Sequence, residues 1–160
     1  MIGIYLIGAF SIALALFLNR NKTITFILLG LFLILQGALT IHGYLNLHLT
    51  ELSYFTYDSL AVLLLCTLSI ISIPGIIHSH IYLDDQPAPQ ESRAIYYAAY
   101  VLLLSAISAG YLANHIAVIW IFTEITTLSA SALIYHHRNK LALEGTWKYV
   151  FICAISITFV

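Results

Sequence analysis

The chain has 160 residues, of which 61% are hydrophobic and 8% charged, and its mean hydropathy is +0.96. So little polar surface cannot coat a soluble globule, and the composition points to an integral membrane protein whose first partner is the lipid bilayer. Six Lys plus Arg against seven Asp plus Glu give a formal net charge of -1; that supplies no basic stripe for phosphate backbones and excludes nucleic acid as a partner.

Residues 2–18 form the first apolar segment. No basic residue precedes it, whereas Arg20 and Lys22 follow it, an order that predicts an uncleaved first helix with its N-terminus outside the cytoplasm. Residues 24–45 return across the membrane. The polar connection from 46 to 56 carries Glu51 and no Lys or Arg, and is expected outside. The third span is 57–78, entered through Asp58, a carboxylate suited to the positive end of a helix dipole. Pro74-Gly75 falls in its last third and is expected to kink or end it, because proline removes a helix hydrogen bond and crowds the preceding turn.

The most loop-like stretch is 83–92, where Asp84, Asp85, Pro87, Pro89 and Glu91 cluster without apolar periodicity; with Arg93 it is expected inside. Residues 94–113 make the fourth span, where Ser105 with Ala109 and Ala106 with Gly110 are spaced for close helix packing. The fifth span is 115–135. After it come His136, His137, Arg138 and Lys140, and the sixth segment is 145–160. Arg20, Lys22, Arg93, Arg138 and Lys140 then share one side, as the positive-inside rule expects. The fold class is therefore all-α, with about six transmembrane helices and an outside N-terminus. The last segment is shorter than the roughly 20 residues a span needs, so the chain reads as the truncated start of a larger helical membrane subunit.

Two ionisable residues stand inside these spans, Glu124 and Lys148. A charge at the bilayer centre costs roughly 2.5–3.5 kcal/mol on insertion scales, so such residues usually face a protein interior or a wet cavity. Glu124 lies near mid-membrane. Helical spacing aligns it with Trp120, Thr127 and Ser131, while Ile121, Ile125 and Leu128 form a face suited to lipid or packing. It is a candidate for an ion pathway; the alternative is a carboxylic acid acting as interhelical hydrogen-bond glue. Lys148 follows Glu144 by four residues, the spacing of a local helical pair. It either pairs and snorkels to the interface or belongs to the same pathway.

Asn114, Trp120, Glu124, Thr126, Thr127, Leu128 and Ser129, followed by Glu144, Trp147, Lys148 and Tyr149, resemble the antiporter-like membrane subunit family. That family includes proton-pumping subunits of respiratory complex I, Mrp-type cation/proton antiporters and energy-converting hydrogenases. Residues 124–131 (EITTLSAS) and 144–149 (EGTWKY) most resemble component F of hydrogenase-four; the other helices match only in spacing and hydropathy.

The resemblance implies a proton or cation translocating membrane subunit of a redox-driven complex, itself without redox catalysis, in a prokaryotic cytoplasmic membrane. Its partners would be other membrane subunits of a hydrogenase or complex I-like assembly. Glu124 would correspond to the fifth-helix glutamate of the proton pathway and Lys148 to the sixth-helix lysine. Family members have about fourteen helices with inverted repeats, and the family's broken helix and seventh-helix lysine would lie beyond residue 160. The other class of function is a packing or assembly subunit with no ion pathway of its own.

Other chemistries find weaker support. Cys66 and Cys153 lie within apolar segments and suit packing rather than a disulfide or a metal. Seven histidines raise a haem reading, but His42, His48 and His115 fall near one interface and His78, His80, His136 and His137 near the other, where amphipathic side chains are common. No cofactor or metal is expected in this chain.

Overall fold

The computed structural model describes residues 1–19, 21–85, 90–135 and 140–159; Arg20, Pro87, Pro89, His136, His137 and Arg138 lie outside the described residues, as do the side chains of Asp85 and Glu91. Among the described residues six helices follow one another as α1 (Ile2–Leu18), α2 (Lys22–Leu45), α3 (Ser59–Asp85), α4 (Gln90–Leu112), α5 (Ile116–Ile134) and α6 (Lys140–Thr158), with a short hairpin of β1 (Thr50–Glu51) and β2 (Phe55–Thr56) between α2 and α3. The architecture is the all-α one expected. Five of the helices, α2 to α6, are long and apolar enough to cross a membrane, and α1 is a shorter apolar helix. Helices suit that environment because they satisfy their backbone groups internally where no water can.

Three boundaries differ from the sequence reading. Pro74 does not end α3, which continues to Asp85. Proline costs α3 one bond, the one its N–H would have given to the Ile70 carbonyl, and packing of α3 against α2 and α4 carries the helix through it. The loop-like stretch shrinks accordingly, since α4 starts at Gln90. The sixth helix starts at Lys140 and not at 145, because Leu141, Ala142, Leu143 and Glu144 all favour helix. With 19 residues it reaches spanning length.

The packing centre is α4. Ala98, Ala99, Ser105, Ala106, Ser108 and Ala109 are buried along it, and these small side chains let α1, α3 and α5 close on its backbone. The pairs read as packing sites at 105/109 and 106 thus lie in the helix interface. Leucines and aromatics from the other helices fill the space between, including Tyr5, Leu16, Leu29, Phe32, Leu39 and Leu65.

A polar knot sits inside this apolar core. Tyr5 Oη donates to Gln36 Oε1, and Gln36 Nε2 donates to Ser108 Oγ at 2.9 Å. It joins α1, α2 and α4. Gln36 is followed by Thr40, whose hydroxyl lies 2.8 Å from Ser69 Oγ of α3. All four helices are therefore stitched by neutral polar groups.

At one end the hairpin closes the bundle, with Thr50 opposite Thr56 and Glu51 opposite Phe55. Its turn passes through the left-handed region at Leu52 (φ 55°) and Ser53 (φ 59°), the backbone that tight hairpins demand and that side chains other than Gly and Asn seldom adopt. Asn114 N–H donates to the Tyr54 carbonyl at 2.7 Å, which ties the hairpin to the start of α5. Glu51 accepts the Met1 ammonium at 2.5 Å and the Ile2 N–H at 2.8 Å, so the start of α1 is held there as well. At the opposite end Lys22 and Arg93 both reach Asp84. Glu51 and these basic residues thus lie at opposite ends of the bundle.

Candidate functional site in helix five

The fifth helix is started by His115, whose Nδ1 accepts the Ala117 N–H at 3.2 Å and satisfies one of the donors that a helix N-terminus leaves open. Phe122 and Ile125 pack towards α1 and α4 along apolar furrows lined by Leu6, Leu102 and Ala106. This docking turns Glu124, midway along α5, partly out of the interface; its side chain is half-buried.

The stripe expected around Glu124 is only partly a polar face. Trp120 is 50% exposed while Thr127 is 7% exposed, so the stripe runs from the bundle surface into the interface rather than along one environment. Ile121 and Leu128 are exposed, as suits a lipid-facing or packing surface.

The hydroxyls around the acid mostly serve their own helix. Thr123 Oγ1 donates to the Ile119 carbonyl at 2.7 Å, Thr126 to the Thr123 carbonyl at 2.7 Å, and Ser131 to the Leu128 carbonyl at 2.7 Å. Thr127 Oγ1 lies 3.0 Å from the Thr123 carbonyl, 2.9 Å from the Glu124 carbonyl and 3.5 Å from Glu124 Oε2. One hydroxyl has one proton to give, so the longest of these contacts is the weakest. The carboxyl keeps most of its hydrogen-bonding capacity for another partner.

Lys148 stands on α6 and donates to Glu144 Oε1 at 2.5 Å, with the two side chains 69% and 60% exposed. This is the local helical pair. Among the described residues no ion pair joins Lys148 to Glu124, and the helix that carries the lysine buries none of its own residues. Glu51, Asp84 and Glu144 each hold a cationic group, whereas Glu124 holds none among the described residues. It is the carboxylate set midway along a spanning helix without such a partner.

Sequence reasoning missed the Tyr5, Gln36 and Ser108 knot, because a neutral amide in an apolar run carries no charge to draw notice. Asp84 was read only as part of a loop, yet it gathers Lys22, His80 and Arg93. His42 stacks edge-on to Tyr57 with ring centroids 5.5 Å apart, so His42, His80 and His115 each have a structural engagement near a helix end. Cys66 and Cys153 are unbridged.

Comparison with known proteins returns the hydrogenase-4 component F homolog of Methylacidiphilum infernorum, 24% identical over 109 residues that make up 66% of this chain. The matched region spans 23% of the relative's length. No family model and no solved structure matches. Composition and helices support a multi-pass integral membrane protein, and the alignment makes it distantly similar to a hydrogenase-4 component F homolog.

Proposed function

We propose that this chain forms part of a proton or cation translocating membrane subunit of a redox-driven complex, of hydrogenase-four or complex I type, with Glu124 as a protonatable group of the pathway. The observation that carries this reading is the half-buried Glu124 midway along α5, without a cationic partner among the described residues. Similarity to the hydrogenase-4 component F homolog supports the kind of assembly.

In this reading Glu124 takes up a proton from one side and releases it to the other. Moving a cation toward or away from a carboxyl alters its proton affinity, so a shift of α6 that brought Lys148 within reach of Glu124, where its side chain could leave Glu144, would couple a distant redox event to transport. The subunit works beside other membrane subunits in a prokaryotic cytoplasmic membrane, with the Lys22 and Arg93 end inside.

The test is acidification by proteoliposomes of the assembled full-length complex during turnover. Glu124→Gln keeps size and hydrogen bonding but removes titration; it should assemble normally and abolish or sharply reduce pumping, and Glu124→Asp should retain part. Wild-type pumping by the Gln variant would instead favour a non-transporting packing or assembly subunit. Lys148 with its local Glu144 partner speaks for that second reading.

A further inference from the structure

Residues 44–57 carry one carboxylate and no Lys or Arg, and the structure turns that carboxylate, Glu51, onto the Met1 ammonium and the Ile2 N–H. Its charge is spent inside the fold. Around it Tyr44, Leu45, Leu47, Leu49, Leu52 and Tyr54 are all left exposed. Single exposed leucines need no account, but a cluster at one end of a bundle marks a surface that something other than water covers.

The hairpin does not stand clear of the helices. Leu52, at its turn and 64% exposed, reaches down to the first turn of α1, where a Cβ on Gly3 would lie 3.8 Å from Leu52 Cδ1. Tyr54 sets its ring edge-on to His115, with centroids 5.8 Å apart, at the start of α5. An apolar helix of spanning length begins where the hydrocarbon begins, so these side chains stand at the boundary of the bilayer and not above it.

Two observations say what covers them. Ile34, Ile41 and Leu45 share one exposed stripe of α2, a helix long and apolar enough to cross the membrane, and Leu47 and Leu49 follow directly on its end. The cluster is thus continuous with a lipid-facing surface. Its members also border three different helices, α1, α2 and α5, whereas a protein partner covers one side of a bundle. Tyrosines suit the headgroup level, with an apolar ring and a polar tip, and the exposed Thr50 and Ser53 among the leucines supply hydroxyls for the same zone.

We propose that the hairpin is seated in the lipid interface, with Leu45, Leu47, Leu49 and Leu52 in the upper acyl chains and Tyr44 and Tyr54 among the headgroups. The engagement of Glu51 permits this, because a lone carboxylate near hydrocarbon is costly. The hairpin is tied to α1 through Glu51 and to α5 through the Asn114 N–H, so its grip on the lipid sets the depth of both helices.

The experiment is spin labelling of the full chain in phosphatidylcholine liposomes. Cys66→Ala and Cys153→Ala clear the background; Leu49→Cys and Leu52→Cys then carry a nitroxide one at a time, with Ile34→Cys on α2 as the lipid-facing reference. Both hairpin labels should collide severalfold more often with dissolved oxygen than with a polar nickel chelate, the order Ile34→Cys also gives. Preference for the chelate would put the hairpin in water and overturn the proposal. An immobilised label shielded from both reagents would overturn it too, since a protein surface, a second copy included, would then cover the cluster. Leu49 stands outside the left-handed turn, so its label decides the matter should Leu52→Cys disturb the backbone there.

Discussion

In α1–α4 several polar side chains inside the membrane reach across to other helices, as in the Tyr5, Gln36 and Ser108 knot and the contact between Thr40 and Ser69, beside others such as Ser72 and Ser79 that bond along their own helix. In α5 and α6 they bond along their own helix, as Thr123, Thr126, Ser131 and the Glu144 and Lys148 pair do. Cross-helix bonds fix the distance between helices, whereas side chains bonded only along their own helix can exchange for another partner. The first region is built to hold still. In the second, α5 packs closely on α4, yet a carboxylate and an ion pair keep capacity for exchange.

The contrast can be broken most directly with matched glycine substitutions. A Cβ on Gly75 of α3 would run into Tyr100 Oη of α4, whereas one on Gly145 of α6 meets nothing within 4 Å. Gly75→Ala should cost about 1 kcal/mol, the low end for overpacking because the atom that must give is the tip of a tyrosine side chain, and Gly145→Ala should gain about 0.5–1 kcal/mol from helix propensity. Unfolding in mixed micelles titrated with SDS measures both. Equal effects would show that α1–α4 is no more tightly built than α6.

Gln36→Leu sharpens the same point by removing the centre of the knot. Interhelical hydrogen bonds in membranes are worth roughly 0.6 kcal/mol each and up to about 1.7, so the loss of two or more should cost about 1–2 kcal/mol in the same titration. A neutral result would mean that the knot contributes no stability.

The hairpin adds a pH dependence to the first region alone. Burial by itself would raise the Glu51 pKa, but hydrogen bonds from the Met1 ammonium and the Ile2 N–H, with the charges of Met1 and His42, hold it below the usual carboxylate range. A depressed carboxylate stabilises the fold above its unfolded value of about 4.3 and loses that contribution as pH falls through the folded value. The partly exposed site should be worth less than about 1 kcal/mol. The protection of the His48 amide, which donates to the Tyr57 carbonyl, against hydrogen exchange relative to its intrinsic rate should fall between pH 6 and pH 3, and Glu51→Gln should remove that fall.

The smallest expected effect belongs to α6. If the Glu144 and Lys148 pair is only local, Lys148→Met should cost about 0.2–0.5 kcal/mol in the SDS titration and leave ion transport by the assembled complex intact. Loss of transport with normal assembly would place the lysine in the pathway.

Much of this was determined by sequence. Apolar runs of spanning length settle helices whatever the neighbours do, because backbone groups in lipid have no other way to be satisfied, and Glu124 announced itself by charge in such a run. The boundary at 78 could not be read correctly, since whether Pro74 ends a helix depends on what packs around it. The hairpin was also illegible, because Leu52 and Ser53 are not residues that signal a left-handed turn; their backbone is imposed by strand pairing and by Tyr54 docking on Asn114. Only tertiary structure could assemble Tyr5, Gln36 and Ser108, or bring Lys22, His80 and Arg93 to Asp84. Periodicity along one helix specifies which side chains share a face, but the partner across the interface is chosen by how the helices pack.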